Sequence, residues 1–168
     1  MTCKSVVGSF YLAPMINIAD YKGFYLQKGT DTVKESNAEW NILVQKFDWG
    51  MLTRKPKPYA ETDWKDQDGK DVFVPQQLKF VSAKIKLTFL YMGEHGTFYN
   101  KLTDFLNYLS TGGYLKIQDK FSGVGRQKVR WTDTDTPAMI SSSPLEGDKF
   151  TFGLTFEIDD PVTNITLA

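Results

Sequence analysis

From Val81 to Met92 apolar and polar residues alternate. Val81, Ala83, Ile85, Leu87, Phe89 and Tyr91 share one parity, while Ser82, Lys84, Lys86 and Thr88 share the other. A period of two sustained this long predicts a half-buried strand of an antiparallel sheet. Phe150–Ile158 repeats the pattern, with Phe150, Phe152, Leu154, Phe156 and Ile158 inward and Thr151, Thr155 and Glu157 outward. Between the two the period changes. Phe98, Leu102, Phe105, Leu106 and Leu109 recur at helical spacing and predict one amphipathic helix over about residues 97–110. Thr97 is its candidate N-cap, and Gly112-Gly113 offers the left-handed residue with which helices commonly end.

Shorter signals complete the outline. Tyr114–Gln118 and Arg126–Trp131 read as strands, with Ser122-Gly123-Val124-Gly125 turning between them. Residues 6–13 and 24–27 are weaker strand candidates. Glu39–Trp49 carries apolar residues on both parities, as a strand covered on both faces or carrying a bulge would. Pro137 and Ser141-Ser142-Ser143-Pro144 read as a loop before the last strand.

Residues 54–76 break the alternation. Arg54-Lys55-Pro56-Lys57-Pro58 removes ladder donors and excludes a central strand. Asp66-Gln67-Asp68-Gly69 then separates two short β-prone runs, a hairpin signature. A loop of this length is uncommon in a compact domain unless it has a task. The fold class that results is mainly β (α+β). It has antiparallel β-sandwich or barrel-like sheets, one flanking amphipathic helix (about 97–110) and a long projecting hairpin (about 54–76). The 168 residues suit a single domain, with a core over 40–161 and a segment 1–39 of undefined role.

Composition adds little beyond this. Apolar residues make up 41% and charged residues 24%, an ordinary globular balance. Twenty basic residues offset twenty acidic ones, so no overall field draws nucleic acid or an anionic membrane. The single cysteine, Cys3, cannot form an internal disulfide. Residues 5–16 are partly apolar after Lys4 but are interrupted by Gly8, Ser9 and Pro14, which argues against an export signal. No stretch approaches the ~20 apolar residues of a bilayer span.

No constellation selects a catalytic, cofactor or metal residue. The lone histidine, His95, sits in Gly93-Glu94-His95-Gly96 and reads as a solvated loop residue. Asp63, Asp66, Asp68 and Asp71 invite a calcium loop. Aligning Gly69 with the invariant glycine of an EF-hand, however, puts Trp64 on the first ligand position and Pro75 on the last. Candidate acid pairs among Glu94, Asp104, Glu146 and Glu157 cannot be told apart, and Gly123-Val124-Gly125 lacks the rest of any phosphate-binding motif. Lys116, Lys120, Arg126, Lys128 and Arg130, interleaved with Tyr114, Phe121 and Trp131, have the composition of a single-strand nucleic-acid platform. The parity of Lys128 and Arg130 against Val129 and Trp131 fits a plain solvent-facing strand equally well. Asn164-Ile165-Thr166 has glycosylation spacing, which counts only on export.

The order of features resembles the phage tail tube and distal tail protein group. The likeness is carried by FVSAKIKLTFLYM (80–92), the helix FYNKLTDFLNYL (98–109), the Gly-Gly turn into Tyr114–Gln118, GRQKVRW (125–131) and FTFGLTFEIDD (150–160) before Pro161. Asp68-Gly69-Lys70-Asp71-Val72 is similar to the hairpin preceding the central strand in such proteins. The resemblance implies a structural subunit without catalysis or cofactor, made in the host cytoplasm and residing in the virion tail. Its partners would be itself, in a homohexameric ring joined sheet edge to sheet edge, and other tail proteins. DNA would be cargo only, and no membrane is involved. It leaves tube, distal tail and baseplate positions open. The neighbour contact is expected on the arm, at Tyr59, Trp64, Asp68, Gly69 and Phe73, since aromatics on a projection suit anchoring. A stand-alone β-sandwich binding module, for carbohydrate for example, is the competing reading.

Overall fold

The computed structural model describes residues 23–46 and 49–167. The candidate strand at 6–13, the apolar run 5–16, Cys3 and Phe47 lie outside these. The described strands are β1 (Phe24–Lys28), β2 (Lys34–Glu35), β3 (Ile42–Lys46), β4 (Ala60–Thr62), β5 (Asp71–Phe73), β6 (Ala83–Gly93), β7 (Leu115–Asp119), β8 (Gly125–Thr134), β9 (Ala138–Ser143) and β10 (Gly147–Ile158). The helices are α1 (Ser36–Trp40) and α2 (Phe98–Ser110), and a 3-10 turn spans Trp49–Leu52.

Eight strands form one antiparallel sheet in the order β2-β1-β7-β8-β10-β6-β3, with β9 beside β10. It curls into a half-barrel, the barrel-like form of the architecture expected. At its centre β6 and β10 pair from Gly93↔Asp148 to Ala83↔Ile158 without a shift. This is the pairing of the two clearest alternations in the chain. Register shifts interrupt β3–β6, β7–β8, β8–β10 and β9–β10. Each extra residue bends its strand and raises the local twist, which rolls the sheet up.

α2 fills the concave side. Phe105 and Leu109 are buried, with Phe98, Leu102 and Leu106 packed against the same core. Phe105 meets Phe24, Trp40 and Phe89 with ring centroids 5.0–6.4 Å apart, and Phe98 stacks on Phe150 at 3.7 Å. The end of α2 is held by a side chain from the sheet. Lys28, almost fully buried, donates to the carbonyls of Leu109 and Thr111 and to Thr111 Oγ1 (2.7 Å). A cation at a helix C-terminus answers both the orphan carbonyls and the dipole.

The structure departs from the sequence expectations in three places. Glu39–Trp49 is not one strand. Asn41 takes a left-handed conformation (φ 57°) that ends α1 before β3 begins, so a second helix joins the one expected. Thr97 does not cap α2 with its side chain; its hydroxyl donates to Glu94 O (2.7 Å) and receives the Tyr91 hydroxyl (2.6 Å). The Gly112-Gly113 pair does supply the expected left-handed residue, at Gly113 (φ 97°), two residues beyond the terminal cap Thr111. The serine-rich segment expected as a loop is a strand, β9, which prolongs the line of β8 along β10 past a break at residues 135–137. Its residues are polar or exposed on both faces, so no alternation marks it.

The core also sets aside one polar atom. The Tyr108 hydroxyl is buried without a hydrogen-bond partner, and burial pushes its pKa up. An unsatisfied buried polar group costs free energy that an isosteric apolar group does not. Tyr108→Phe is therefore expected to raise stability by about 1 kcal/mol. Phe105→Ala should lower it by about 3–5 kcal/mol, having emptied the middle of the aromatic cluster. Urea denaturation of the two variants checks both signs.

Candidate functional site: the projecting arm and the sheet margins

The prolines at 56, 58 and 75 and the glycine at 69 shape the segment between the 3-10 turn and β6. At its base the chain pairs with itself: Lys57 N donates to Lys79 O (2.8 Å) and Val81 N to Lys55 O (2.9 Å), about a bridge between Pro56 and Phe80. Farther out β4 and β5 pair as a separate two-stranded sheet, Ala60↔Phe73 to Thr62↔Asp71. Gly69 (φ 90°) lies in the turn at the tip, a conformation that favours glycine. The tip is pinned by Trp64 Nε1 donating to Asp71 Oδ2 (3.1 Å) and by Lys70 against Glu61 (3.0 Å). Every residue from 57 to 74 is exposed.

All five residues expected at a subunit contact lie on this arm. Trp64, Asp68 and Gly69 occupy the tip. Tyr59 and Phe73 flank a shallow cleft of about 370 Å³ lower down, with Pro75 and Leu78. Phe73 is 69% exposed and Trp64 52%. Apolar surface of this size left in water on a hydrogen-bonded projection is typical of a contact surface. The carboxylates Asp63, Asp66, Asp68 and Asp71 do not converge on a point where a metal ion would sit.

A second exposed margin follows β9. Met139 and Ile140 are more than half exposed, and Leu145, at the β9–β10 turn, is 97% exposed. Beneath it is a polar cluster that sequence reading missed. Ser142 Oγ donates to Asp148 Oδ1 (2.7 Å), Gly96 N to Asp148 Oδ2 (2.7 Å), and His95 Nδ1 lies 2.9 Å from Asp148 Oδ1. Serine, histidine and aspartate are present, but Ser142 approaches the same ring nitrogen as Asp148 (3.2 Å), not the opposite one. A relay that deprotonates a serine needs the imidazole between the two oxygens. Here the cluster ties the β6–α2 loop to β9 and β10. These donors hold the Asp148 carboxyl below its usual range, the Ser142 hydroxyl foremost. No local signal in the sequence marks it, because it depends on the pairing of β6 with β10, which sets Gly93 opposite Asp148.

The basic run after α2 does not form a platform. Lys116 donates to Gln27 Oε1 (2.8 Å) and Gly29 O (2.9 Å), Lys120 pairs with Glu35 (2.8 Å), and Arg130 grips Asp159 through two bonds (2.8 and 3.0 Å). Arg126 is buried and donates to the carbonyls of Met51 (2.9 Å) and Gly125 (2.8 Å) and to Asn164 Oδ1 (3.2 Å). Asn164, itself exposed, thereby has its Oδ1 engaged by the fold, and it also receives Gly125 N there (2.9 Å).

The arm base opens on a larger cleft, about 400 Å³, against the end of β10. Lys57 and Lys79 line it from the arm and Lys128 from β8. Asp160 closes its floor. Burial would raise this carboxyl, but bonds from Thr163, Gln127 Nε2 (3.1 Å) and Val162 N (3.3 Å) outweigh that and hold it at about 2.

The fold can now be set beside known proteins. No family model matches the chain, and no curated protein matches it. Among solved structures the chain is similar to the phage SPP1 Dit protein (gp 19.1), described as a paradigm of the hub adsorption apparatus in phages infecting Gram-positive bacteria. The TM-score is 0.52 at 13% identity, over 82% of this chain and 50% of that one. At this identity the likeness is one of fold. The chain spans about half the length of that structure.

A depressed carboxylate stabilises the folded state above its unfolded value and stops doing so as pH falls through the folded one. Asp160 drops from 3.8 to about 2 on folding. Its contribution is then complete above about pH 4 and lost on acidification toward about pH 2. Asp160→Asn is expected to lower the neutral-pH melting temperature and to flatten the acid limb of the stability curve in that window, read by thermal melts across pH.

Proposed function

We propose that this protein is a structural subunit of a phage or prophage-derived tail, of the distal tail, tube or baseplate type. It assembles with copies of itself into a ring around a channel, and it resides in the virion tail. The observation that carries this reading is the pairing of two features. One is a curled antiparallel sheet covered by the long helix α2, in a fold similar to that of the SPP1 Dit protein over 82% of this chain. The other is a rigid arm that leaves the sheet with its aromatic residues in solvent.

The physics of the margins supports self-association. The outer edges of β9, β2 and β3 end the sheet, and an edge strand presents unpaired backbone groups that another chain can complete. Identical copies joined head to tail close such edges in a ring. Other tail proteins would bind the two faces of that ring, and DNA would pass through it as cargo without sequence readout. Among the described residues no helix is long and apolar enough to cross a membrane.

Sedimentation velocity on the purified protein tests the ring reading directly. A species of hexamer size, or a concentration-dependent polymer, is expected, whereas a monomer at every concentration would sink it. Deleting residues 58–74 should leave the melting temperature within a few degrees of the parent, because these exposed residues pair as a sheet of their own and not with a strand of the main sheet. The same deletion should abolish assembly, and an unchanged oligomer would show that the arm is not the contact.

A further inference from the structure

Resting on the ring reading, we infer that the acidic tip of the arm docks in the lysine-lined cleft at the arm base of the neighbouring copy. The charges along the arm are segregated. Its base carries Arg54, Lys55, Lys57 and Lys79; its outer part carries Glu61, Asp63, Asp66, Asp68 and Asp71 against only Lys65 and Lys70. Within one copy part of this charge is used, since Lys70 pairs with Glu61 and Asp71 receives Trp64. Asp63, Asp66 and Asp68 have no hydrogen bond or ion pair among the described residues. Lys57 and Lys79 have no side-chain partner there either. Lys128 feels Asp159, which Arg130 already holds through two bonds.

The cleft is built to receive something. Leu78, Phe80 and Val162 line it between the three lysines. Its carboxylates are occupied from within: Asp159 by Arg130, and Asp160 by Gln127 and backbone N–H groups. Lys128 is held in the left-handed region (φ 54°) at the register shift between β7 and β8, with its carbonyl fixed by Asp159 N (3.0 Å). A non-glycine residue stays in that conformation only where its surroundings over-determine it, and such residues gather at functional sites.

Geometry makes the occupant a second copy. The run from Lys57 to Asp63 extends up to roughly 20 Å at the rise of a strand, and the hydrogen-bonded β4–β5 ladder keeps the tip from folding back. The tip therefore reaches only the cleft of another molecule. A contact between two different patches of one surface is heterologous, which is the kind that generates rings. Trp64 at the tip and the apolar lining supply burial, while the charges set register and reject wrong partners.

A charge exchange tests this. Lys57→Glu with Lys79→Glu makes one variant, and Asp66→Lys with Asp68→Lys makes the other. All four positions are exposed, so far-ultraviolet circular dichroism and melting should match the parent. Each variant alone is expected to assemble at least ~10-fold more weakly in sedimentation velocity, and parent assembly should weaken in about 1 M salt, where charges are screened within ~3 Å. An equimolar mixture of the two should regain assembly, because each tip then meets a complementary cleft. Variants that assemble as the parent does, or a mixture no better than its components, would overturn the docking while leaving the ring intact. A parent that never assembles would overturn both.

Discussion

The ladder between β6 and β10 is the constraint on which the remaining structure depends. Its register sets Ile85 opposite Phe156, Leu87 opposite Leu154, Phe89 opposite Phe152 and Tyr91 opposite Phe150. All of these side chains fall on the face that α2 covers. A slip of one residue would turn that whole set toward solvent, so the burial of the aromatic cluster and the strand register specify each other. The same register brings Gly153 under Asp135, whose carboxylate would lie 2.2 Å from any Cβ there and is itself paired with Lys86 (2.8 Å). Packing and polar bonding thus agree on one alignment, as a sequence that specifies a single structure requires.

Around this ladder, charged groups are used to hold irregular segments. Lys28 closes the end of α2, Arg126 gathers the 3-10 turn and the segment 163–165, and Asp148 binds the β6–α2 loop. Gly125 belongs to the same arrangement. A Cβ there would come within 2.1 Å of the Ile165 carbonyl oxygen, so only glycine lets this segment lie against β8. Arg126 has carbonyl and amide acceptors in place of a carboxylate, and burial lowers its pKa. A buried charge of this kind is costly to leave unpaired, which makes its acceptors structurally indispensable. Lys28, Arg126 and Asp148 thus each fasten an irregular segment to the sheet.

The likeness to the SPP1 hub protein at 13% identity is a likeness of fold. A fold can persist at such an identity because patterning and total core volume constrain it more than particular residues do. A shared scaffold does not fix function, and chains that share one differ in what projects from it. In this chain the projection is the arm, whose charge is separated from base to tip and whose aromatic residues have no cover.

Elements whose signal is local can be read from the residues alone. β6, β10 and α2 were legible because burial of one face imprints a period of two or of 3.6 on the residues themselves. The arm was legible because prolines and Asp68-Gly69 exclude a central strand wherever they stand. Tertiary structure alone decided what depends on a distant partner. β9 is a strand only because β10 offers it hydrogen bonds, and Asn41 ends a helix that a two-sided apolar run concealed. The fate of the basic residues 116–130 was decided the same way: their charge is visible in sequence, but whether each meets a carboxylate, a carbonyl or water depends on which strands become neighbours. Burial patterns are written along the chain; pairing is a property of the space between its parts.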